Sequence, residues 1–321
     1  MDGSMNDNGI HGLMTWRQFA TWLAGAAAVA SLARIGMGQT PARPMRVGVS
    51  LETLSGANVN DARAAYKVWT QEILNNLSVK AVELIPGIFL PSDQIVQMIR
   101  QGSVDMFGIT AWEYAKVVNL VEPNAVLLEE DIAQGMEYIL VVHNASSYKK
   151  LSDLHGRQIA IHHHRHMTLL PGWMVNMLAA ENLPRMDAFF SQQVARDSVT
   201  QVVLPVFFRR MDAAALLRRD YETTVEMNPQ LGRDLQALAI SPNIIPILCC
   251  FHKNCSQESR KQLLSLLSRA ESLPSGQQVV AMYQSRKLVT RPASCMNLTV
   301  NMLRQYERVT AHPPGQRKEH S

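Results

Sequence analysis

From Met45 onward the chain alternates short apolar runs with longer stretches whose apolar residues return every three or four positions. "MRVGVSL" has the length and branched apolar content of a buried strand. "NDARAAYKVWTQEILNNL" sets Ala65, Val68, Trp69, Ile73 and Leu77 near one face of a helix. "VKAVELIP" then predicts a strand, and "SDQIVQMIRQG" a helix opened by Ser92 as N-cap and closed at Gly102. "VDMFGIT" predicts the next strand. Such alternation of strand and helix argues for a parallel sheet with helices on its faces.

A second series begins at "EYILVVH". "SDLHGRQIAIH" predicts a turn and strand, "PGWMVNMLAAENL" a helix with Pro171 in its first turn, and "DAFFS" a strand. "DSVTQVVLPVFFRR" predicts a helix capped by Asp197 or Ser198 and kinked at Pro205, followed by strands at "MDAAALL" and "LQALAIS". "IPILCCFH" is strand-like, and "SQESRKQLLSLLSRAESL" and "SCMNLTVNMLRQYERV" are helical. Two α/β series without a linker, followed by a helical return, suggest two lobes joined by crossing strands: residues 45–138 with 244–312, and residues 139–243. Ligands of open α/β sheets sit beyond the carboxyl ends of strands, at helix N-termini.

The N-terminal pattern is of another kind. Arg17, an apolar run from Phe19 to Ala33 and small residues up to Gly38 have the three-part order of a secretory signal over residues 1–38, with cleavage after Ala33 or Gly38. The run is shorter than the roughly 20 residues of a membrane span. Residues 313–321 read as a disordered tail. With 47% hydrophobic and 18% charged residues among 321, the chain has ample core material for two lobes. The net charge of +4 and the lack of long basic runs argue against a nucleic-acid partner. Export permits oxidation of Cys249, Cys250, Cys255 and Cys295, though their spacing fits no zinc motif, and buried thiols are the simpler reading of the "LCC" run.

"RVGVSLE", "GSVDMFGITAWEYAKV", "YKKLSDLHGRQIAI", "FFRRMDAAALLRRDYE" and "NPQLGRDLQALAISPNIIP" follow the order and spacing of a known family. Over about Met45 to Arg269 the chain resembles the phosphate/phosphite/phosphonate substrate-binding proteins of ABC importers. The resemblance implies an α/β, two-lobed type II periplasmic-binding-protein fold with its ligand cleft between the lobes. It implies a periplasmic, monomeric, non-enzymatic protein without cofactor, which carries a small anion to an inner-membrane permease. Presentation of the closed form to a receptor is the alternative role, and a metal-binding derivative of the fold is another. One departure stands out: where the family commonly carries a Ser-Thr-Ser-Gly-like loop after the strand at "RQIAI", this chain has "HHHRHMTLLPGW". Only Thr168 offers a comparable hydroxyl, so phosphonate specificity does not carry over.

That loop stands at a strand end and a helix entry, where free N–H groups and the helix dipole favour an anion. His162, His164, His166 and Thr168 are candidate donors, and Arg165 brings a planar fork suited to oxyanions. Protonation near pH 6.5 would strengthen such binding. The rival readings are a metal set of His162, His164 and His166, and a solvated turn with no specific role. By the resemblance, Tyr114 matches an aromatic near the cleft with Trp112 beside it, and Asp212 matches an acid that can meet a ligand amine. Ser198 and Ser55 complete the candidates, as hydroxyls at a helix start and after the first strand.

Overall fold

The computed structural model describes residues 45–54, 58–77, 82–270 and 287–311. The expected signal over residues 1–38, the expected tail over residues 313–321 and Ser55 lie outside the described residues, as does the packing of Trp69, Ile73 and Leu77. Among the described residues no helix is long and apolar enough to cross a membrane.

The first series forms β1 (Met45–Ser50), α1 (Val59–Leu77), β2 (Val82–Leu90), α2 (Ser92–Arg100), β3 (Met106–Thr110) and α3 (Ala111–Val117). β1 lies parallel to β2 on one side and β3 on the other. Pro91, not Ser92, holds the N-cap of α2. Its extended backbone (φ −54°, ψ 149°) turns the chain into the helix, and Ser92 is already the first helical residue, past the position where a hydroxyl caps. Gly102, at φ +64°, stops the chain beyond α2.

β4 (Val121–Glu129) extends this sheet although the apolar pattern does not predict it. Its residues Pro123 and Asn124 are exposed, and the ladder to the later strand at Ile247–His252 is irregular there, which spares Pro123 the donor it lacks. β10 (Ile247–His252) enters antiparallel between β3 and β4, and β11 (Leu288–Arg291) closes the edge. The order is β11-β4-β10-β3-β1-β2.

The second sheet holds β5 (Tyr138–His143), β6 (Gln158–His162), β7 (Gln192–Arg196), β8 (Ala213–Leu217) and β9 (Leu235–Ile240), in the order β7-β6-β8-β5-β9. Its helices are α4 (Leu170–Ala180), α5 (Met186–Phe189), α6 (Val199–Phe207), α7 (Arg218–Met227) and α8 (Pro229–Asp234). "DAFFS" is not a strand: it holds the short helix α5, whose Phe189 is buried with Phe190 in the core. The edge strand is the mostly exposed "QQVAR" that follows, which carries no apolar alternation to announce it.

The two sheets share one plan. In each, a parallel trio (β2-β1-β3 or β7-β6-β8) is followed by an antiparallel strand that has just crossed from the other sheet. Between the sheets the chain passes twice, through residues 130–137 and 241–246. These segments are joined where Met136 and Ile244 exchange backbone hydrogen bonds of 2.9 Å. Gly135 is required there: its φ is +80°, and a Cβ would stand 3.0 Å from the Asn243 side chain. The C-terminal helices α9 (Gln257–Ala270) and α10 (Asn297–Ala311) follow β10, and α10 packs on α4.

Candidate functional site

β6 ends at His162, which pairs with Arg196 of β7, and the His163 amide donates to the Arg196 carbonyl at 2.7 Å. The chain then makes a 3-10 turn over Arg165–Met167, capped by the His164 ring, whose Nδ1 accepts from the His166 amide at 3.2 Å. This bond leaves the proton of a neutral His164 on Nε2. The rings of His162 and His164 stack at 5.4 Å, and His166 meets His164 edge-on at 5.0 Å.

The loop is held by several other elements. From β5, the Tyr138 hydroxyl donates to the His166 carbonyl at 2.6 Å and accepts from the Leu169 amide at 3.3 Å. From α3, Trp112 Nε1 donates to the Thr168 carbonyl at 3.0 Å. Gly172 allows the approach of α4 to this indole, since a Cβ there would lie 3.1 Å from the Trp112 ring. At the end of β4, the Glu129 carboxylate accepts from Arg165 Nη1 at 3.0 Å, contacts Nη2, and lies 3.3 Å from His166 Nε2. Glu129, Arg165 and His166 are all buried. β4 and α3 belong with the first sheet, so the histidine loop of the second sheet is tied directly to it.

An open cleft of about 530 Å³ lies against this loop. His162, His163, His164, Met167 and Thr168 line it, with residues of α4, α5 and β7, and Tyr306 of α10. Tyr306 stands edge-on to Trp112 at 4.9 Å. The His162 Nδ1 and Thr168 Oγ1 atoms are buried and make no hydrogen bond among the described residues. Asp220 Oδ2 is 3.9 Å from His162 Nδ1, beyond hydrogen-bond reach. Both His162 and Thr168 line the cleft, with their Nδ1 and Oγ1 atoms shielded from solvent behind its surface.

The sequence candidates separate accordingly. His162, His164 and Thr168 converge on the cleft. Arg165, expected to present its fork to an anion, instead turns onto Glu129 and does not line the cleft; His166 follows it. Trp112 is a brace for the loop. Tyr114 is buried in the core, where burial raises its hydroxyl pKa well above the ordinary range. Asp212 precedes β8, at the opposite end of the parallel β6–β8 pair from His162. It accepts from the Tyr148 hydroxyl at 2.5 Å and the Gln158 amide at 2.9 Å, the local bonding of an acid at a strand start. Ser198 is the N-cap of α6 and accepts from the Gln201 amide at 3.3 Å. Glu129, Tyr138 and Tyr306 had no signal in the periodicity; the acid closing "AVLLE" was the one visible hint.

None of the four cysteines is disulfide-bonded, and burial pushes the Cys249 thiol up to about 12. Among the described residues no three His, Cys, Asp or Glu side chains are grouped as metal ligands.

Burial lowers the pKa of both His162 and His166, more than the neighbouring Asp220 and Glu129 raise it. Burial likewise lowers His143 and His252. An unfolded chain takes up these protons near pH 6.5, while the folded chain resists until lower pH. The fold is therefore expected to keep its full stability above about pH 6.5 and lose it progressively as pH falls through the depressed folded values. Urea unfolding from pH 7.5 to 5.0 should show this fall, and His166→Gln should flatten it. A wild-type stability that rises on acidification would contradict the assignment.

Two sheets of one strand order, paired crossing segments and a cleft at a strand end define the two-lobed class of solute-binding proteins. The chain belongs to the family described as ABC transporter, phosphonate, periplasmic substrate-binding protein, whose model matches residues 59–291. Solved structures agree in fold. A binding-protein component of an ABC phosphonate transporter from Pseudomonas aeruginosa is 16% identical, with a TM-score of 0.50 over 83% of this chain and 88% of that one. PhnD1 of Prochlorococcus marinus, in complex with methylphosphonate, is 15% identical with a TM-score of 0.50, over 83% and 99% of the two chains. A Xanthomonas citri protein bound to ATP is 14% identical with a TM-score of 0.53, over 84% and 98%. No curated protein matches the chain. It is thus a transporter's substrate-binding protein of a periplasmic family, not an enzyme.

Proposed function

We propose that the protein captures its solute in the cleft beside residues 162–168 and carries it, as a monomer exported by its N-terminal signal, to an inner-membrane permease. The cleft at the carboxyl end of β6, lined by His162, His163, His164 and Thr168, carries this reading. The lobes are residues 45–138 with 244–312, and residues 139–243. Capture shifts the population toward the closed arrangement, in which contacts from both lobes meet the solute.

Thr168→Val separates binding from folding. It replaces an unpartnered buried hydroxyl by a methyl group of the same shape, so the melting temperature should stay level or rise. Loss of one hydrogen bond to the solute should weaken binding by about tenfold. A thermal-shift panel of oxyanions, phosphonates and carboxylates finds a binder, and calorimetry on Thr168→Val and His164→Ala measures the loss. Unchanged affinity in both variants would remove this loop from the binding site.

A further inference from the structure

We propose that this cleft selects an organic solute with an apolar body of about ring size over a small bare oxyanion. The inference rests on the solute-binding reading above and concerns what the site takes. The open cleft, at about 530 Å³, has room for a whole organic ligand and not only for an ion of a few atoms. The wall is largely carbon: Met167, Leu170, Pro171, Val175 and Met186 line it. The stacked His162 and His164 rings and the Tyr306 ring add flat aromatic surface, suited to packing against a planar or branched group.

The charge is arranged to the same effect. Tight capture of a small oxyanion is normally achieved with charge-assisted donors. The one arginine of the loop is committed to Glu129, which also holds His166. Arg185 on the cleft wall and His163 are exposed to solvent, which screens their charge, and each has a carboxylate beside it, Asp187 at 3.7 Å and Asp197 at 3.0 Å. The first sheet shows the same internal use of anion-binding capacity: the buried Glu113 carboxylate accepts from the Ser50 hydroxyl at 2.5 Å and from the Thr110 amide at 2.7 Å, at the carboxyl ends of β1 and β3. What remains toward the cleft is Thr168 with two imidazoles, His164 and a His162 that burial keeps neutral near pH 7. These suit the polar end of a larger molecule, whose affinity then comes mainly from burial of its apolar part.

The test uses two probes with one head group, methylphosphonate and phenylphosphonate, titrated calorimetrically into the full chain at pH 7.5. Phenylphosphonate is expected to bind at least tenfold more tightly. Val175→Phe, which fills the wall from a half-buried position on α4, is expected to remove that advantage. Methylphosphonate binding as tightly as phenylphosphonate, or more tightly, would overturn the inference and leave solute capture standing. So would binding of neither probe while a small bare oxyanion of the panel binds. If no compound in the panel binds, both the inference and the proposed function fall. Should Val175→Phe not fold, the comparison of the two probes on the unaltered chain decides.

Discussion

Arg165→Ala is expected to lower the unfolding free energy by about 3–5 kcal/mol, because it leaves the buried Glu129 carboxylate without its main cation. His166 remains 3.3 Å from Glu129 and offsets part of the loss, which places the expectation toward the lower end. Replacing both partners should behave differently. Arg165→Met with Glu129→Met removes the desolvation cost of two buried charges together with their attraction, and such exchanges are often neutral or stabilising. Denaturant unfolding of the two single variants and the double variant measures the coupling. A loss below about 1 kcal/mol in Arg165→Ala, the size typical of exposed pairs, would mean that the pair is not buried in solution. The effect should be seen in stability first, since Arg165 does not line the cleft.

Glu113→Ala is the second large expectation, about 3 kcal/mol of lost stability. The Glu113 carboxylate accepts from the Ser50 hydroxyl, the Thr110 amide and the Thr110 hydroxyl, all buried, and completes the capping box that starts α3. Truncation strands those donors, at about 1–3 kcal/mol for a buried unsatisfied group, and removes one half of the cap. Glu113→Gln keeps an acceptor oxygen and should lose roughly half as much. Equal losses for the two substitutions in urea titrations would show that packing, not acceptance, is what Glu113 supplies. Since α3 carries Trp112 to the Thr168 carbonyl, the alanine variant should also loosen the histidine loop, seen as faster amide exchange at Leu169.

Each expectation turns in part on a partner far away along the chain, although the Thr110–Glu113 capping box is itself local. Arg165 is 36 positions from Glu129, and Ser50 is 63 from Glu113. Local pattern carries no record of such pairs. It does record the strands β1, β3, β5, β6, β8 and β10, because each buries most of its residues and so must be a short apolar run. It also records Pro171 in the first turn of α4 and Ser198 at the cap of α6, since these follow from the backbone bonding of a helix end alone. It misses β4, whose polar Glu-Pro-Asn segment sits at an irregular ladder, and β7, an exposed edge.

By itself the sequence determined the alternation of strand and helix, hence the α/β class. It also placed the histidine-rich segment at a strand end before a helix, hence beside a cleft. These are consequences of periodicity and capping, which act over a few residues. Only the tertiary structure decided what each side chain of that segment does. Consecutive residues in a turn point in different directions, so His162, His164 and Thr168 face the cleft while Arg165 and His166 turn onto Glu129 of the other sheet. A buried charge goes wherever a partner satisfies it, and the position of that partner is set by how the two sheets meet.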